Sequence, residues 1–191
     1  NIIWHGHSCF EITGKDGTIV FDPYQANSVP GLNSLKLKAN LVLCSHEHDD
    51  HNARNCVEVA PKDFKVTCIE TYHDHHQGSH RGKNTIHIVD FEDLKVVHMG
   101  DIGCMMDDVS KLKNCDVLMI PIGGYYTIDT KEALKYIERI KPRIVIPMHY
   151  RSHEFGYDVL STNEEFIQQS SSVTYVDDCL EVNKDTKKQT V

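Results

Sequence analysis

One short stretch constrains this chain more than any other. The apolar run Leu41-Val42-Leu43-Cys44 reads as a buried strand, and it is followed at once by His46-Glu47-His48-Asp49-Asp50-His51. In extended chain, residues two apart point the same way, so His46 and His48 can address one ion. Asp50 and His51 fall where the chain turns and can reach a second ion beside the first. Imidazole and carboxylate together suit zinc, manganese or iron. The chain has 13 histidines, and seven lie between His46 and His80, a clustering that solvated surface residues would not produce.

One motif cannot complete two coordination shells. Three further apolar runs also end in a candidate ligand. Lys65 to Ile69 leads to His73, with His75 and His76 as competitors; Leu94 to His98 leads to Asp101; Arg143 to Ile146 leads to His149. Ligand sites in α/β sheets gather at strand ends for the same geometric reason. Strands are also expected at Ile2 to Trp4, Cys9 to Ile12, Thr18 to Phe21, Thr85 to Val89, Val117 to Ile120 and Val173 to Val176, with a hairpin turn at Gly14 to Gly17. Helices are expected at Ala53 to Ala60, Asp107 to Leu112, Thr130 to Ile140 and Asn163 to Gln169. In the third, Thr130 is the expected N-cap, and Ala133, Leu134, Ile137 and Ile140 recur at helical spacing until Pro142 stops it.

The 191 residues fit a single domain over 1–191, with the polar stretch 183–191 expected as a disordered tail. A net charge of -8 weighs against a nucleic-acid partner held by its phosphates. No apolar run is long enough to span a bilayer. Seven scattered cysteines, an odd number without C-x-x-C, read as reduced thiols of a cytoplasmic protein rather than a disulfide framework.

Motif and order together resemble the metallo-β-lactamase superfamily. Gly6-His7-Ser8-Cys9-Phe10, Phe21-Asp22-Pro23-Tyr24, Arg81-Gly82-Lys83-Asn84-Thr85 and Pro121-Ile122-Gly123-Gly124-Tyr125 look like one branch of it, hydrolases similar to ascorbate-6-phosphate lactonase. The resemblance covers nearly the whole chain. It implies an α/β fold, the four-layer αββα sandwich, with two mixed sheets and helices on the outer faces. It implies a hydrolase with a dinuclear centre acting on a small molecule. His46, His48 and His73 would hold the first ion, Asp50, His51 and His149 the second, and Asp101 would bridge them. Zinc is the first expectation, with manganese or iron as alternatives. Asp50 would also orient the attacking water. Asp22 and His98 are expected to support the ligands from behind, Arg81 and Tyr150 to meet substrate, and His5 and His7 to pack beneath the site. Di-iron redox proteins of this kind typically carry Glu where His48 stands, and larger nucleases insert a domain between Gly-Asp and the last His. The interval from Asp101 to His149 is too short for that domain. A compact phosphodiesterase or a metal-binding protein without catalysis are the remaining alternatives.

Overall fold

A computed structural model describes residues 1–191. The chain enters through three antiparallel strands, β1 (Ile2–Gly6), β2 (Cys9–Gly14) and β3 (Gly17–Phe21). The predicted turn joins the last two, with Gly14 opposite Gly17. A short β4 (Leu37–Ala39) precedes β5 (Leu41–Leu43), which lies parallel to β3, while β6 (Val57–Val59) pairs only with β4. The second half contributes β7 (Lys65–Tyr72), β8 (Lys83–Phe91), β9 (Leu94–His98) and β10 (Val117–Pro121). The helix α1 (Thr130–Ile140), β11 (Ile144–Met148), the short α2 (Glu164–Gln169), β12 (Cys179–Leu180) and β13 (Gln189–Thr190) follow. Two mixed sheets result, of order β12-β1-β2-β3-β5 and β13-β11-β10-β9-β8-β7.

Alternation along the strands sorts side chains into three clusters. Phe10, Ile12, Ile19 and Phe21 of the first sheet meet Val89, Val96, Val117, Met119, Ile144, Ile146 and Met148 of the second, forming the core between the sheets. Each such buried side chain contributes roughly 1.5–3 kcal/mol. The opposite face of the second sheet, with Ile86, Val97, Leu118, Ile120 and Val145, is covered by Ala133, Tyr136 and Ile140 of α1 and Phe166 of α2. Asp129, rather than Thr130, caps α1. Its carboxylate accepts from the Glu132 N–H, and Glu132 reaches back to the Asp129 N–H in a capping box.

Between the layers the expectations hold; at the outer face of the first sheet they need correction. The segment expected as a helix over Ala53 to Ala60 is a 3₁₀ turn, Arg54–Cys56, followed by β6. The cover over Cys9 and Val20 is built from Tyr24, Val29, Ala39 and Val57, not from an α-helix. Val57-Glu58-Val59 alternates with the period of a strand, and β4 offers it a partner, so pairing outweighs helix propensity. Asp107 to Leu112 likewise shortens to a 3₁₀ turn at Ser110–Leu112. Val173 to Val176 is not a strand; only Val173 makes a bridge, to Thr190. All seven cysteines are free, but Cys68 and Cys179 are exposed.

The polar end of the chain is docked rather than disordered. β13 lies parallel to β11, with Ile144 opposite Gln189 and Val145 opposite Thr190. The Gln189 N–H donates to the Arg143 carbonyl at 3.1 Å and the Val191 N–H to the Val145 carbonyl at 2.9 Å. Thr190 is buried, and Val191 packs against the core between the sheets. Deleting residues 189–191 should therefore destabilise the fold by about 2–4 kcal/mol, from lost ladder bonds at about 1 kcal/mol each and lost apolar cover. Denaturant midpoints measure this. An unchanged midpoint would mean the pairing contributes nothing.

Candidate metal centre

β7, β9, β10 and β11 run in one direction, as do β3 and β5, so their ends deliver residues to one edge of the sandwich. His46 to His51 follow β5, His73 follows β7, Asp101 lies just past β9, and His149 leaves β11 in a left-handed conformation with φ 54°. Two close approaches make this convergence possible. A Cβ on Gly100, at φ 56°, would stand 2.4 Å from both Asn84 Oδ1 and the Ser45 Cβ; one on Gly123 would stand 2.0 Å from the His149 carbonyl oxygen. Only glycine fits these positions.

The seven predicted ligands come together. His46, His48 and His73 place their ligand atoms within 4.8 Å of one another; Asp50, His51 and His149 form a second such group, which also contains His7. Asp101 joins the two. Its Oδ2 is 3.0 Å from Nε2 of His51, 3.0 Å from His149, 3.3 Å from His73 and 3.9 Å from His46. His75 and His76 lie on the surface; His75 instead faces Glu132 at 3.4 Å. The loop that turns them outward winds around Asp74, whose carboxylate accepts from the N–H groups of His76, Gly78, His80 and Arg81. These donors hold Asp74 well below the usual carboxylate range, against the effect of burial.

Asp22 stands behind two of the candidate ligands, His46 and His51. Its Oδ2 is 2.8 Å from His51 Nδ1, and its Oδ1 accepts the Ser45 N–H. Ser45 Oγ donates to Asp22 Oδ2 at 2.6 Å and lies 2.9 Å from His46 Nδ1. One carboxylate thus fixes His51 directly and His46 through a hydroxyl, turning both Nε2 atoms inward. Asn84 does the same for Asp101. Its Oδ1 accepts the Asp101 N–H at 2.8 Å while its amide donates to Thr71 Oγ1 and the Met99 carbonyl. Neither Ser45 nor Asn84 stands out in the sequence, because serine and asparagine beside a turn have many uses.

Three expectations change. His98 touches no ligand; it stacks on Phe21 at 5.1 Å, donates from Nε2 to the Ser8 carbonyl, and accepts the Gly100 N–H, bracing the turn before Asp101. Tyr150 is not part of the cluster. Its ring packs 5.7 Å from Trp4 and 6.2 Å from Phe155, because the chain turns at His149 and buries the next side chain on the opposite, apolar side. His7 does more than pack, since its Nε2 is 3.0 Å from Asp50 Oδ2. His5 faces Glu11 at 3.0 Å, away from the cluster. Arg81 sits over the rings of Tyr126 and Tyr125 at 5.4 and 5.9 Å.

The electrostatics ask for cations. Asp22, Asp50 and Asp101 all press on the buried His51. Burial opposes charge on His51, but the three carboxylates raise its pKa well above the ordinary histidine value. Burial likewise opposes ionisation of Asp50 and Asp101, yet the surrounding histidines hold both well below the usual range. Burial, helped by His51, pushes His46 down to about 3; burial, helped by His149, pushes His7 down to about 4. His46 is thus neutral beside ionised Asp50 and Asp101, as a bound metal ion requires, whereas on His51 and His73, against the effect of burial, the carboxylates favour a proton in the place a cation would take. The buried Nε2 atoms of His46, His51 and His149 and Asp101 Oδ1 make no aligned hydrogen bond. Unpaired buried polar atoms aimed at one volume fit a metal centre.

Two mixed sheets packed face to face, with helices on the outer face of the second and histidine and aspartate side chains gathered at one edge, define the class: a metallo-hydrolase fold. Residues 1–149 match the β-lactamase superfamily domain, and the chain belongs to the metallo-β-lactamase superfamily, in its UPF0173 branch. A UPF0173 metal-dependent hydrolase of Staphylothermus marinus is 30% identical over 216 residues, covering 88% of this chain and 90% of the relative. One of Thermoplasma acidophilum is 29% identical over 191 residues, covering 80% and 84%. The crystal structure of a candidate Zn-dependent hydrolase of the metallo-β-lactamase superfamily from Thermotoga maritima is 26% identical. It superposes with a TM-score of 0.76 over 99% of this chain and 95% of its own. Igni18, a metallo hydrolase from Ignicoccus hospitalis, shares the fold at 20% identity and a TM-score of 0.63, with 88% of each chain covered.

Proposed function

We propose that this protein is a dinuclear metal-dependent hydrolase of a small anionic ester, a lactone or a phosphodiester. The observation that carries the reading is Asp101 Oδ2 lying within reach of Nε2 on four histidines delivered by three strand ends. His46, His48 and His73 would hold one ion, Asp50, His51 and His149 the other, and Asp101 both; zinc suits this donor set, and manganese or iron are alternatives. When bound, such a pair of ions supplies an activated water and a Lewis acid for the substrate oxygen. Asp50, less enclosed than Asp101, orients the attacking water by accepting its hydrogen. Asp22 keeps His51 in the tautomer that offers Nε2. The free cysteines and the reduced thiols they imply fit work in the cytoplasm. No helix is long and apolar enough to cross a membrane.

Arg81 supports an anionic substrate. Arg54, Arg139, Arg143 and Arg151 each spend their guanidinium on a protein oxygen, whereas that of Arg81 makes no such bond. It is held in place on aromatic faces with its donors unspent, a preorganised seat for a carboxylate or phosphate. Arg81→Ala should keep both ions and the fold while raising KM, by about 1.5–3 kcal/mol of lost binding for a charged hydrogen bond. A lactone and phosphodiester panel, assayed on metal-loaded and metal-stripped protein, tests the reading. Turnover confined to the loaded protein supports it; loaded protein that binds metal but turns over nothing on the panel would leave a metal-binding protein.

A further inference from the structure

The chemistry above makes no use of His7, yet His7 is fully buried and built into the site. It occupies the turn between β1 and β2 at φ 53°, a conformation that a residue with a Cβ rarely adopts. The turn is held from several sides. The His7 carbonyl accepts from Trp4 Nε1 at 3.1 Å and from the His149 N–H at 3.3 Å, and the next carbonyl, of Ser8, accepts from His98. Strain that its surroundings over-determine tends to sit at functional positions. What this turn presents to the site is one imidazole. Its ring centroid lies 4.1 Å from that of His149 and 5.2 Å from that of His51, and its Nε2 is 3.0 Å from Asp50 Oδ2.

An ionised carboxylate can only accept, so His7 must donate from Nε2. That contact is the ring's one hydrogen bond, since Nδ1 is buried without a partner. We propose that His7 is a positioning residue for Asp50: by donating to Oδ2, the oxygen that also lies 3.3 Å from His51 Nε2, it fixes the carboxylate's rotation toward the second ion and the water. The role of Asp50 toward that ion rests on the dinuclear reading; the hydrogen bond itself does not. A ligand carboxylate is usually oriented by such an outer partner, whose removal typically costs 10–100-fold in metal affinity.

The test uses metal-stripped full-length protein titrated with zinc against a chromophoric chelator. Wild type, His7→Ala, His7→Gln, Asp50→Ala and the His7→Ala/Asp50→Ala double variant are compared, with melting temperatures to verify folding. His7→Ala should weaken only the weaker ion, by about 10–100-fold. His7→Gln, whose amide N–H reaches the same place, should restore most of that affinity. His7→Ala should change nothing further once Asp50 is gone. Nitrogen NMR of the metal-free wild type should show His7 as the Nε2–H tautomer, with a shift that moves in Asp50→Asn. Wild-type affinity for both ions in His7→Ala, or an Nδ1–H tautomer, would overturn the proposal. Loss of the second ion in His7→Ala and His7→Gln alike would also overturn it, by making His7 a ligand. Uptake of one ion by wild type would sink the dinuclear reading instead, and the tautomer and its response to Asp50→Asn would then decide the role of His7.

Discussion

Asp101→Asn is expected to abolish hydrolysis and most metal binding while leaving the fold intact. Asp101 Oδ2 is the carboxylate oxygen close to histidines of both proposed ligand groups, and the side chain is buried at their centre. The amide has nearly the same shape, and the backbone N–H that anchors the turn to Asn84 is untouched. What disappears is a buried negative charge between two proposed cations. Removing one preorganised electrostatic group from an active site typically costs about 10²–10³-fold. A residue shared by both ions should cost at least the upper figure, so activity should fall by about 10³-fold or more and metal content below one ion per chain. Elemental analysis and single-substrate kinetics read both. Normal metal content in Asp101→Asn would remove this residue from the ligand set.

The second large effect should be more selective. Asp50 belongs to the group with His51 and His149, whereas His46, His48 and His73 form a group without it. Asp50→Ala should therefore retain about one ion per chain and lose about 10²–10³-fold in turnover, since both the second ion and the group orienting the water are affected. The contrast with Arg81→Ala matters: there metal is kept and substrate binding is lost. Full activity in Asp50→Ala would mean that water is activated elsewhere.

How much of this was legible in the sequence depended on whether a residue's role is set by its own strand or by something distant. The convergence of His46, His48, Asp50, His51, Asp101 and His149 could be read because each follows an apolar run, and strand ends in α/β sheets converge. His73 could be preferred over His75 and His76 because it comes soonest after its strand, and the Asp74 turn then throws the others outward. The tail could not be read. Gln189 and Thr190 have no pattern of their own and become a strand only because β11 presents an open edge. Val57 to Val59 looked helical in a stretch rich in helix-compatible residues, until β4 supplied a partner. Tyr150 was misplaced because the left-handed turn at His149 reverses the side a neighbour faces. His7 was undervalued because its partner, Asp50, lies 43 positions away. Contacts of that range are tertiary facts that local pattern does not carry.

The central claim is that seven residues from four strand ends hold two ions and that hydrolysis depends on both. It is tested most directly by metal titration of stripped protein, following hydrolysis of one responsive ester as ions are added. Activity should be absent without metal, remain low up to one ion per chain, and rise to its plateau as the second ion binds. Full activity in chelated protein, or a plateau already reached at one ion per chain, would contradict the account.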